Sequence, residues 1–322
     1  MNFQEFSAFK EEIAAERDLA RFDCMNPFKA MQFLKTEFTP HAARSSDDVL
    51  DIWADTMGMQ NERGIALASG GVRQSLTALF NIYSAQNTEV WLPEDVYPFY
   101  WDTALSAGLT PRSFPTLPSP DFSALNQAAD QSVMLITNPI SPLGRHLNAQ
   151  ETAEIKTWLS GAKDRRVILD TVYTYTRGFD AHSLDLYSTG QCIIAHSLSK
   201  AWLERGVFGV LLAPEQDRAA CKARLNAPDA AACASAHSAL AQQVTLADKQ
   251  QAAFTREWAR LTPAIKRIDP NFTAPNTGYF TAINADYRDA LDQHNSLIIP
   301  ASVFGSRRKD VSIVSCLYDI AR

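Results

Sequence analysis

The chain reads Cys192-Ile193-Ile194-Ala195-His196-Ser197-Leu198-Ser199-Lys200 shortly after its midpoint. The four apolar residues predict a buried parallel strand, and a lysine just past the carboxyl end of such a strand lies where open α/β sheets bind their ligands. A lysine partly shielded from water has a lowered pKa, and its free amine can form a Schiff base with an aldehyde. By itself the segment 196–200 more often marks a surface lysine in a loop, so the rest of the chain decides between the two interpretations.

Short apolar runs alternate with helix-length stretches from Ile65 onward. Such alternation predicts a mostly parallel sheet covered by helices on both faces. The runs lie at 65–68, 90–92, 133–136, 167–169, 192–195 and 207–213, and residues 111–115 can add an edge strand.

The pattern changes on either side of this region. After Pro214 an Ala-rich and Gln-rich stretch without glycine runs to about Ile265 and predicts helices, and β-like runs follow at 278–283, 296–300 and 311–317. Residues 1 to about 44 combine a helical pattern with an irregular segment around Pro27 and Pro40, and we interpret them as an arm that packs on something else. The predicted parts are an N-terminal arm (1–44), a large ligand-binding α/β domain (45–214), and an interdomain helix with a small α+β domain (215–322).

Composition limits the possible function. Hydrophobic residues make up 46% of the 322 and charged residues 20%, as in ordinary soluble globular proteins, and the net charge of -6 predicts neither a nucleic-acid partner nor an anionic membrane surface. The five cysteines show no CxxC spacing, which predicts reduced thiols without a metal site or a disulfide framework. Acids near Met1 and the absence of a long apolar run predict a cytoplasmic protein outside the membrane.

The first apolar run leads into a glycine turn, Ser69-Gly70-Gly71-Val72-Arg73-Gln74. Glycines let the backbone approach a ligand closely, and the free amides and positive dipole end of a following helix make a phosphate cradle. Glycines in this place are equally often plain turn residues. The turn matches neither the dinucleotide nor the ATP motif.

An aromatic cluster and a rigid turn follow later strands. The cluster reads Pro93-Glu94-Asp95-Val96-Tyr97-Pro98-Phe99-Tyr100-Trp101. Tyr97 is the candidate for stacking on a flat heterocycle, while Phe99 and Trp101 fit core packing better. The turn reads Thr137-Asn138-Pro139-Ile140-Ser141-Pro142-Leu143-Gly144, and its prolines and glycine hold polar groups in fixed positions.

The run at 167–169 ends in Asp170-Thr171-Val172-Tyr173. A buried acid at a strand end is unfavourable without a cationic partner, and a protonated ring nitrogen would be one. The alternative is an aspartate that caps the following helix, which Asp170 taken alone favours. Tyr173 can reach the same pocket.

In this order the motifs resemble those of pyridoxal-phosphate enzymes of fold type I, in particular the class I and II aminotransferase family that includes histidinol-phosphate aminotransferase. The resemblance covers roughly residues 65–317. It implies an α/β protein with a mostly parallel seven-stranded sheet in its large domain and a small α+β C-terminal domain. It also implies the cofactor pyridoxal 5′-phosphate, an amino-acid substrate, transamination and a homodimer.

The resemblance implies a role for each matched residue. Lys200 would form the internal aldimine and shuttle protons, Asp170 would pair with the pyridine nitrogen, and Tyr173 would bind the phenolic oxygen of the ring; these are the expected catalytic residues. Tyr97 would stack on the ring. The expected phosphate ligands are the amides of Gly70, Gly71 and Val72 with the hydroxyls of Ser197 and Ser199.

The chain departs from the family at two cofactor contacts. The rigid turn, which also supplies Asn138 to the expected site, carries Ser141 where most relatives have the asparagine that donates to the ring oxygen, so Tyr173 becomes the main partner there. The loop after Lys200 reads Glu204-Arg205-Gly206-Val207-Phe208-Gly209, and its arginine is out of register with the family's phosphate arginine. A shortened loop would still bring its charge to the phosphate, so Arg205 is an expected phosphate ligand.

A third departure concerns the substrate. The family's arginine for the substrate carboxylate falls at Ile313, although the preceding Ile299-Pro300-Ala301-Ser302-Val303-Phe304-Gly305 matches well. Arg307 and Arg308 are the expected replacements, although arginines in such a turn are more often simply solvated.

Two other functions are weighed against transamination. The missing carboxylate arginine and Ser141 are compatible with a pyridoxal-phosphate-dependent lyase, decarboxylase or cyclase acting on an unusual amino acid. A non-catalytic descendant that binds a partner is disfavoured, because drift has no reason to keep the matched set of Lys200, Asp170 and Tyr173.

Overall fold

A seven-stranded sheet forms the centre of the larger part of the computed structural model, which describes residues 1–30, 44–60, 66–242 and 244–318. Its strands lie in the order β2-β8-β7-β6-β5-β3-β4. Strands β3 to β7 are parallel to one another, whereas β8 is antiparallel to both of its neighbours, β2 and β7. The strands are β2 (Ala66–Ser69), β3 (Glu89–Pro93), β4 (Arg112–Phe114), β5 (Ser132–Thr137), β6 (Arg166–Asp170), β7 (Cys192–Ser197) and β8 (Gly209–Leu212).

The predicted sheet is therefore confirmed, including the edge strand β4; Ile65 lies outside the described residues. Side chains of the central strands alternate between two apolar layers, one on each face. In β5, Met134 and Ile136 belong to one layer and Val133 and Leu135 to the other. This two-sided burial explains why the strands read as nearly continuous apolar runs.

Helices connect the strands and cover both layers. They are α3 (Ser46–Met57), α4 (Val72–Ala85), α5 (Phe99–Ser106), α6 (Ala149–Ser160), α7 (Ala181–Tyr187) and α8 (Leu198–Ala201). Capping boxes fix the starts of two of them, through Ser45 for α3 and Asn148 for α6. A side chain that accepts from the first-turn amides stabilises such a start by about 1 kcal/mol.

The C-terminal part is helical first and then forms a small sheet. Its helices are α9 (Glu215–Arg224), α10 (Ala230–Gln242), α11 (Leu246–Ile265) and α12 (Tyr287–His294), and its three-stranded antiparallel sheet has the order β11-β12-β9. The strands are β9 (Phe280–Ile283), β11 (Ile299–Pro300) and β12 (Ser312–Ser315). The predicted run at 296–300 is divided, because β10 (Ser296–Leu297) pairs in parallel with β1 (Ala20–Arg21) in a separate two-stranded sheet.

The N-terminal arm packs on the C-terminal part of its own chain. It contains α1 (Phe3–Glu16), β1 and α2 (Pro27–Ala30), and Pro40 lies outside the described residues. The Ser315 amide donates to the Phe22 carbonyl at 2.8 Å, and the side chains of Phe6 and Phe22 are buried in the core. The described part of the arm therefore packs on residues of its own chain outside the arm, and the interpretation of residues 1–44 as an arm stays a prediction. The domain bounds at 44/45 and 214/215 stay a prediction.

Across the described ranges, no helix is both long and apolar enough to span a bilayer, and no cluster of His, Cys, Asp and Glu is arranged to hold a metal ion. All five cysteines are free thiols.

Candidate active site

Lys200 lies in α8, directly after the carboxyl end of β7. Its backbone is held from α11, where Gln250 Nε2 donates to the carbonyls of Lys200 at 3.1 Å and Ala201 at 2.6 Å. Burial lowers the pKa of the Lys200 ammonium, and the nearby positive charge of Arg73 lowers it further. Lys200 is therefore a free amine in a larger fraction of the molecules than an ordinary lysine would be, and the free amine is the form that attacks an aldehyde.

The strand that leads to Lys200 is fixed through His196. The Trp53 Nε1 of α3 donates to His196 Nδ1 at 3.1 Å, and both side chains are buried. Burial lowers the pKa of His196 to about 3, so its imidazole is neutral. His196 thus belongs to the packing of β7 and not to the cavity beside Lys200.

Asp170 ends β6, the neighbour of β7, and is 2% exposed. Its Oδ2 accepts from the Tyr100 hydroxyl at 2.7 Å and its Oδ1 from the Val172 amide at 3.0 Å. Burial raises the pKa of Asp170 to about 6, although these two hydrogen bonds oppose the shift. Among residues 1–30, 44–60, 66–242 and 244–318, no cation forms an ion pair with this carboxyl group. The helix-capping alternative is wrong, because α7 begins at Ala181 and is capped by Asp180.

One cavity of about 870 Å³ is lined by Lys200 together with Tyr97, Tyr173 and Arg73. Tyr97 is 41% exposed, which leaves its ring accessible to a ligand. Tyr173 packs edge-on against Phe280 with ring centroids 5.1 Å apart, and burial raises the pKa of its hydroxyl to about 12. Its proton is therefore retained near neutral pH and can be donated to a ligand oxygen.

Ser141 lies close to Tyr173, since both line a small adjoining cavity. Its amide donates to Thr137 Oγ1 at 2.7 Å, which fixes the turn at the carboxyl end of β5. The structure thus brings together the two residues expected at one ring oxygen.

The glycine turn lies against β8. A methyl group built on Gly209 would lie 2.4 Å from the Gly71 Cα atom, so the two backbones can touch because neither residue has a side chain. Gly71 has φ 97° and precedes α4, whose first turn has no side-chain cap. The Gly70 amide is already bound by Gln74 Oε1, which leaves the amides of Gly71 and Val72 for a ligand.

Two serines lie beside this turn. Ser197 Oγ is 4.0 Å from a methyl group built on Gly71, and it donates to Ser199 Oγ at 3.0 Å. The structure therefore brings the expected phosphate ligand Ser197 next to Gly71, with Ser199 bonded to Ser197, whereas the Gly70 amide has another partner.

Asn138 is used elsewhere. Its Nδ2 donates to Asp180 Oδ2 at 3.0 Å and to Ser183 Oγ at 2.7 Å, and its Oδ1 accepts from the Leu147 amide at 2.9 Å. The expectation that Asn138 binds the cofactor is therefore corrected. Its side chain is occupied by these hydrogen bonds, which stabilise the rigid turn.

Arg205 is exposed and does not line the cavity. The loop that carries it is held by the buried Glu204, whose carboxylate accepts from the Phe208 amide at 2.9 Å and also from the Gly206 amide and the Ser235 hydroxyl. This arrangement places Val207 against the glycine turn, with its Cγ1 2.8 Å from a methyl group built on Gly71. The expected phosphate contact of Arg205 is not supported.

Arg307 and Arg308 also lie outside the residues that line the cavity. Arg307 is exposed, and Arg308 pairs with Asp310, with Nε to Oδ1 at 3.1 Å. Ile313 is fully buried in β12, so that strand presents no cation in place of the family's arginine. Their expected role in substrate binding is therefore corrected.

The arm supplies cavity-lining cations that the sequence did not single out. Arg21 forms a fork onto Asp23, with Nε to Oδ1 at 2.7 Å and Nη2 to Oδ2 at 2.9 Å. Lys10 Nζ lies 3.8 Å from Oδ2 of the same carboxylate. These two cations and one anion give the arm side of the cavity one net positive charge.

The chain is similar to known proteins over most of its length. The family model described as aminotransferase class I and II matches residues 41–313. A histidinol-phosphate aminotransferase of Ruegeria sp. (strain TM1040) is 25% identical over 153 residues, which are 46% of this chain and 41% of that protein. The match thus spans less than half the length of this curated relative.

Solved structures of low sequence identity share the fold. A double mutant of Thermus thermophilus aspartate aminotransferase has a TM-score of 0.73 at 15% identity, covering 98% of this chain and 92% of that one. Bna3p from Saccharomyces cerevisiae, a putative kynurenine aminotransferase, has a TM-score of 0.73 at 16% identity, covering 99% and 91%. The expected fold and family are confirmed, and the chain belongs to the aminotransferase class I and II family.

Proposed function

We propose that the chain is a pyridoxal-phosphate-dependent aminotransferase that acts on an amino acid and holds its cofactor through Lys200. The observation that carries this proposal is the position of Lys200, a lysine of lowered pKa that shares a cavity with Tyr97 and Tyr173 beside the buried Asp170. Membership in the family supports the reaction class.

The residues present fit this cofactor. Asp170 is a buried acid without a cationic partner among the described residues, as expected for a group that awaits a protonated ring nitrogen. The uncapped first turn of α4 has free amides for a phosphate. When bound, pyridoxal phosphate supplies an electron-poor ring that stabilises negative charge on the α-carbon of the substrate.

Each side chain then has a defined task. Lys200 Nζ would hold the cofactor and, once released, carry a proton to and from the substrate. The Asp170 carboxylate would keep a proton on the ring nitrogen. The Tyr173 hydroxyl, with Ser141 nearby, would donate to the ring oxygen, and Tyr97 would cover one face of the ring.

A homodimer and a cytoplasmic location are part of the proposal. The dimer rests on analogy to the fold type, and the exposure of Tyr97 (41%) and Val207 (48%) at the site supports cover by a second copy. The described arm packs on its own chain and gives no support to a dimer.

The reaction is tested by following the amino group. Apolar and aromatic amino acids are the first donors to try, because Phe280, Val303 and Phe304 line the cavity. An aminotransferase moves the donor nitrogen to an added keto acid, so a new amino acid and a new keto acid appear in equal amounts by chromatography. Turnover without any acceptor would instead favour the lyase, decarboxylase or cyclase alternative, for which the buried Ile313 is the supporting observation.

We further propose that the substrate carboxylate binds at Arg21 and Lys10 of the arm. Replacing Arg21 by Ala should raise KM about tenfold or more with little change in kcat, because a charge-assisted contact to a carboxylate contributes roughly 1.5 to 3 kcal/mol. Steady-state kinetics with the donor found above measures the effect. Arg308→Ala is the control, since Arg308 lies outside the cavity lining. An unchanged KM in a folded Arg21→Ala variant would place the anchor elsewhere.

A further inference from the structure

Arg73 is a cavity residue that none of the assigned tasks uses. It is the second residue of α4 and follows the glycine turn directly. Its guanidinium carbon lies 4.8 Å from the centroid of the Phe99 ring, and it lines the same cavity as Lys200. The charge therefore lies close enough to Lys200 to help lower the pKa of that side chain.

No carboxylate neutralises Arg73 in the part of the chain that the structure describes. Many of the other arginines have an acidic partner within 4.0 Å. They are Arg21, Arg112, Arg145, Arg165, Arg166, Arg177, Arg260 and Arg308. An arginine at a cavity wall without an acid is available for an anionic ligand.

On the other side of the glycine turn, the described loop 201–208 brings no cation into the cavity. The loop after Lys200 places the apolar Val207 against Gly71, and Arg205 lies outside the cavity. The amides of Gly71 and Val72 are neutral donors. A phosphate of about two negative charges, removed partly from water, needs a positive partner as well.

We propose that Arg73 binds the phosphate of the cofactor and supplies, from the first turn of α4, the positive charge that the loop after Lys200 does not bring to the cavity. This inference rests on the proposed function, because it concerns the same cofactor. Arg73 is two residues past Gly71, so one short segment would provide both the amide donors and the cation.

The test separates the phosphate from the rest of the cofactor. Pyridoxal has the same ring and aldehyde as pyridoxal phosphate but no phosphate group. Affinities for both compounds are measured by absorbance titration of the wild-type chain, Arg73→Ala, Arg73→Gln and Arg205→Ala. The Arg205 variant is the matched control, because it removes an exposed arginine outside the cavity.

We expect both Arg73 variants to bind pyridoxal phosphate about ten- to a hundredfold more weakly than the wild type. Their affinity for pyridoxal should stay within about twofold, and Arg205→Ala should behave as the wild type with both compounds. Inorganic phosphate should compete with pyridoxal phosphate on the wild type and much less on the Arg73 variants.

Three results would overturn the inference. The first is unchanged pyridoxal-phosphate affinity in both Arg73 variants, including the case in which they only raise KM for the amino acid. The second is an equal loss for pyridoxal, which would mean general damage to the site. The third is a wild type that binds both compounds equally well. Failure of the wild type to bind either compound would refute the proposed function as well as the inference. The three results above would refute only the role of Arg73, so the two kinds of failure can be told apart.

Discussion

Replacing Lys200 by Ala should reduce kcat by at least about a thousandfold, because the amine that holds the cofactor and moves protons is gone. The chain should still fold, since the Gln250 contacts go to the backbone carbonyls of residues 200 and 201 and do not involve the lysine side chain. Pyridoxal phosphate should still bind, but with the absorption spectrum of the free aldehyde. Turnover and the spectrum of the loaded variant measure these effects.

The control for this substitution is Lys156→Ala. Lys156 lies on α6 and pairs with Asp185 on the surface at 2.7 Å, far from any assigned task. It should keep wild-type turnover and spectrum. A Lys200→Ala variant that retains more than a few per cent of wild-type kcat would contradict the assigned role.

Replacing Asp170 by Asn should lower turnover by about a hundredfold or more, since a neutral amide does not favour a protonated ring nitrogen. The same variant should be more stable than the wild type when both are free of cofactor. An isosteric amide can still accept from the Val172 amide, and it carries no charge into the buried site.

This stability difference should depend on pH in a defined direction. The folded pKa of Asp170 is about 6, above its usual 3.8, because the carboxyl group is buried. The folded state thus holds the proton more tightly than the unfolded state, and the cofactor-free wild type loses stability as pH rises from about 4 to about 6. The two pKa values correspond to roughly 3 kcal/mol.

Denaturant unfolding at several pH values measures this effect. The gain of Asp170→Asn over the wild type should be small below pH 4, grow between about pH 4 and 6, and stay constant above. Asp102→Asn, at an exposed carboxyl group, is the control for loss of a carboxylate. A gain that is the same at every pH would contradict a raised pKa, and near wild-type turnover would contradict a role in catalysis.

The central sheet could be predicted from sequence because its strands are buried on both faces. Continuous apolar runs such as 192–195 indicate strands that are buried on both faces. Their alternation with helices limits the possible topologies of the sheet. The two-residue strands β1 and β10 could not be predicted, since they join residues 20 and 296 without any local periodicity. The predicted single run at 296–300 failed for the same reason.

The part of the candidate site that lies at the carboxyl ends of strands could be predicted from sequence. Gly71 and Lys200 follow strands and Asp170 ends one, and the carboxyl ends of these strands meet at one edge of the sheet, so the sequence indicates that the three residues lie close together. Tyr100 was missed because only the packing of α5 shows that its hydroxyl reaches Asp170 at 2.7 Å. Arg73 had one signal, its place just after the glycine turn.

The expected substrate cations lie outside the cavity for a physical reason. Arg307 and Arg308 are close in sequence to the matched segment 299–305, but the turn that holds them leaves one exposed and pairs the other with Asp310. Arg21 reaches the cavity from the arm, at the opposite end of the sequence from the segment 299–305. Its contact depends on tertiary packing, which proximity in sequence does not reveal.

The attachment of the cofactor at Lys200 is the central claim, and borohydride reduction tests it most directly. The wild-type chain is loaded with pyridoxal phosphate, reduced so that the bond between cofactor and amine becomes irreversible, digested, and mapped by mass spectrometry. We expect one labelled peptide that contains residues 196–200, with the added mass on Lys200, and no such label in the Lys200→Ala variant. A label on Lys10 or any other lysine, with Lys200 unmodified, would contradict the claim.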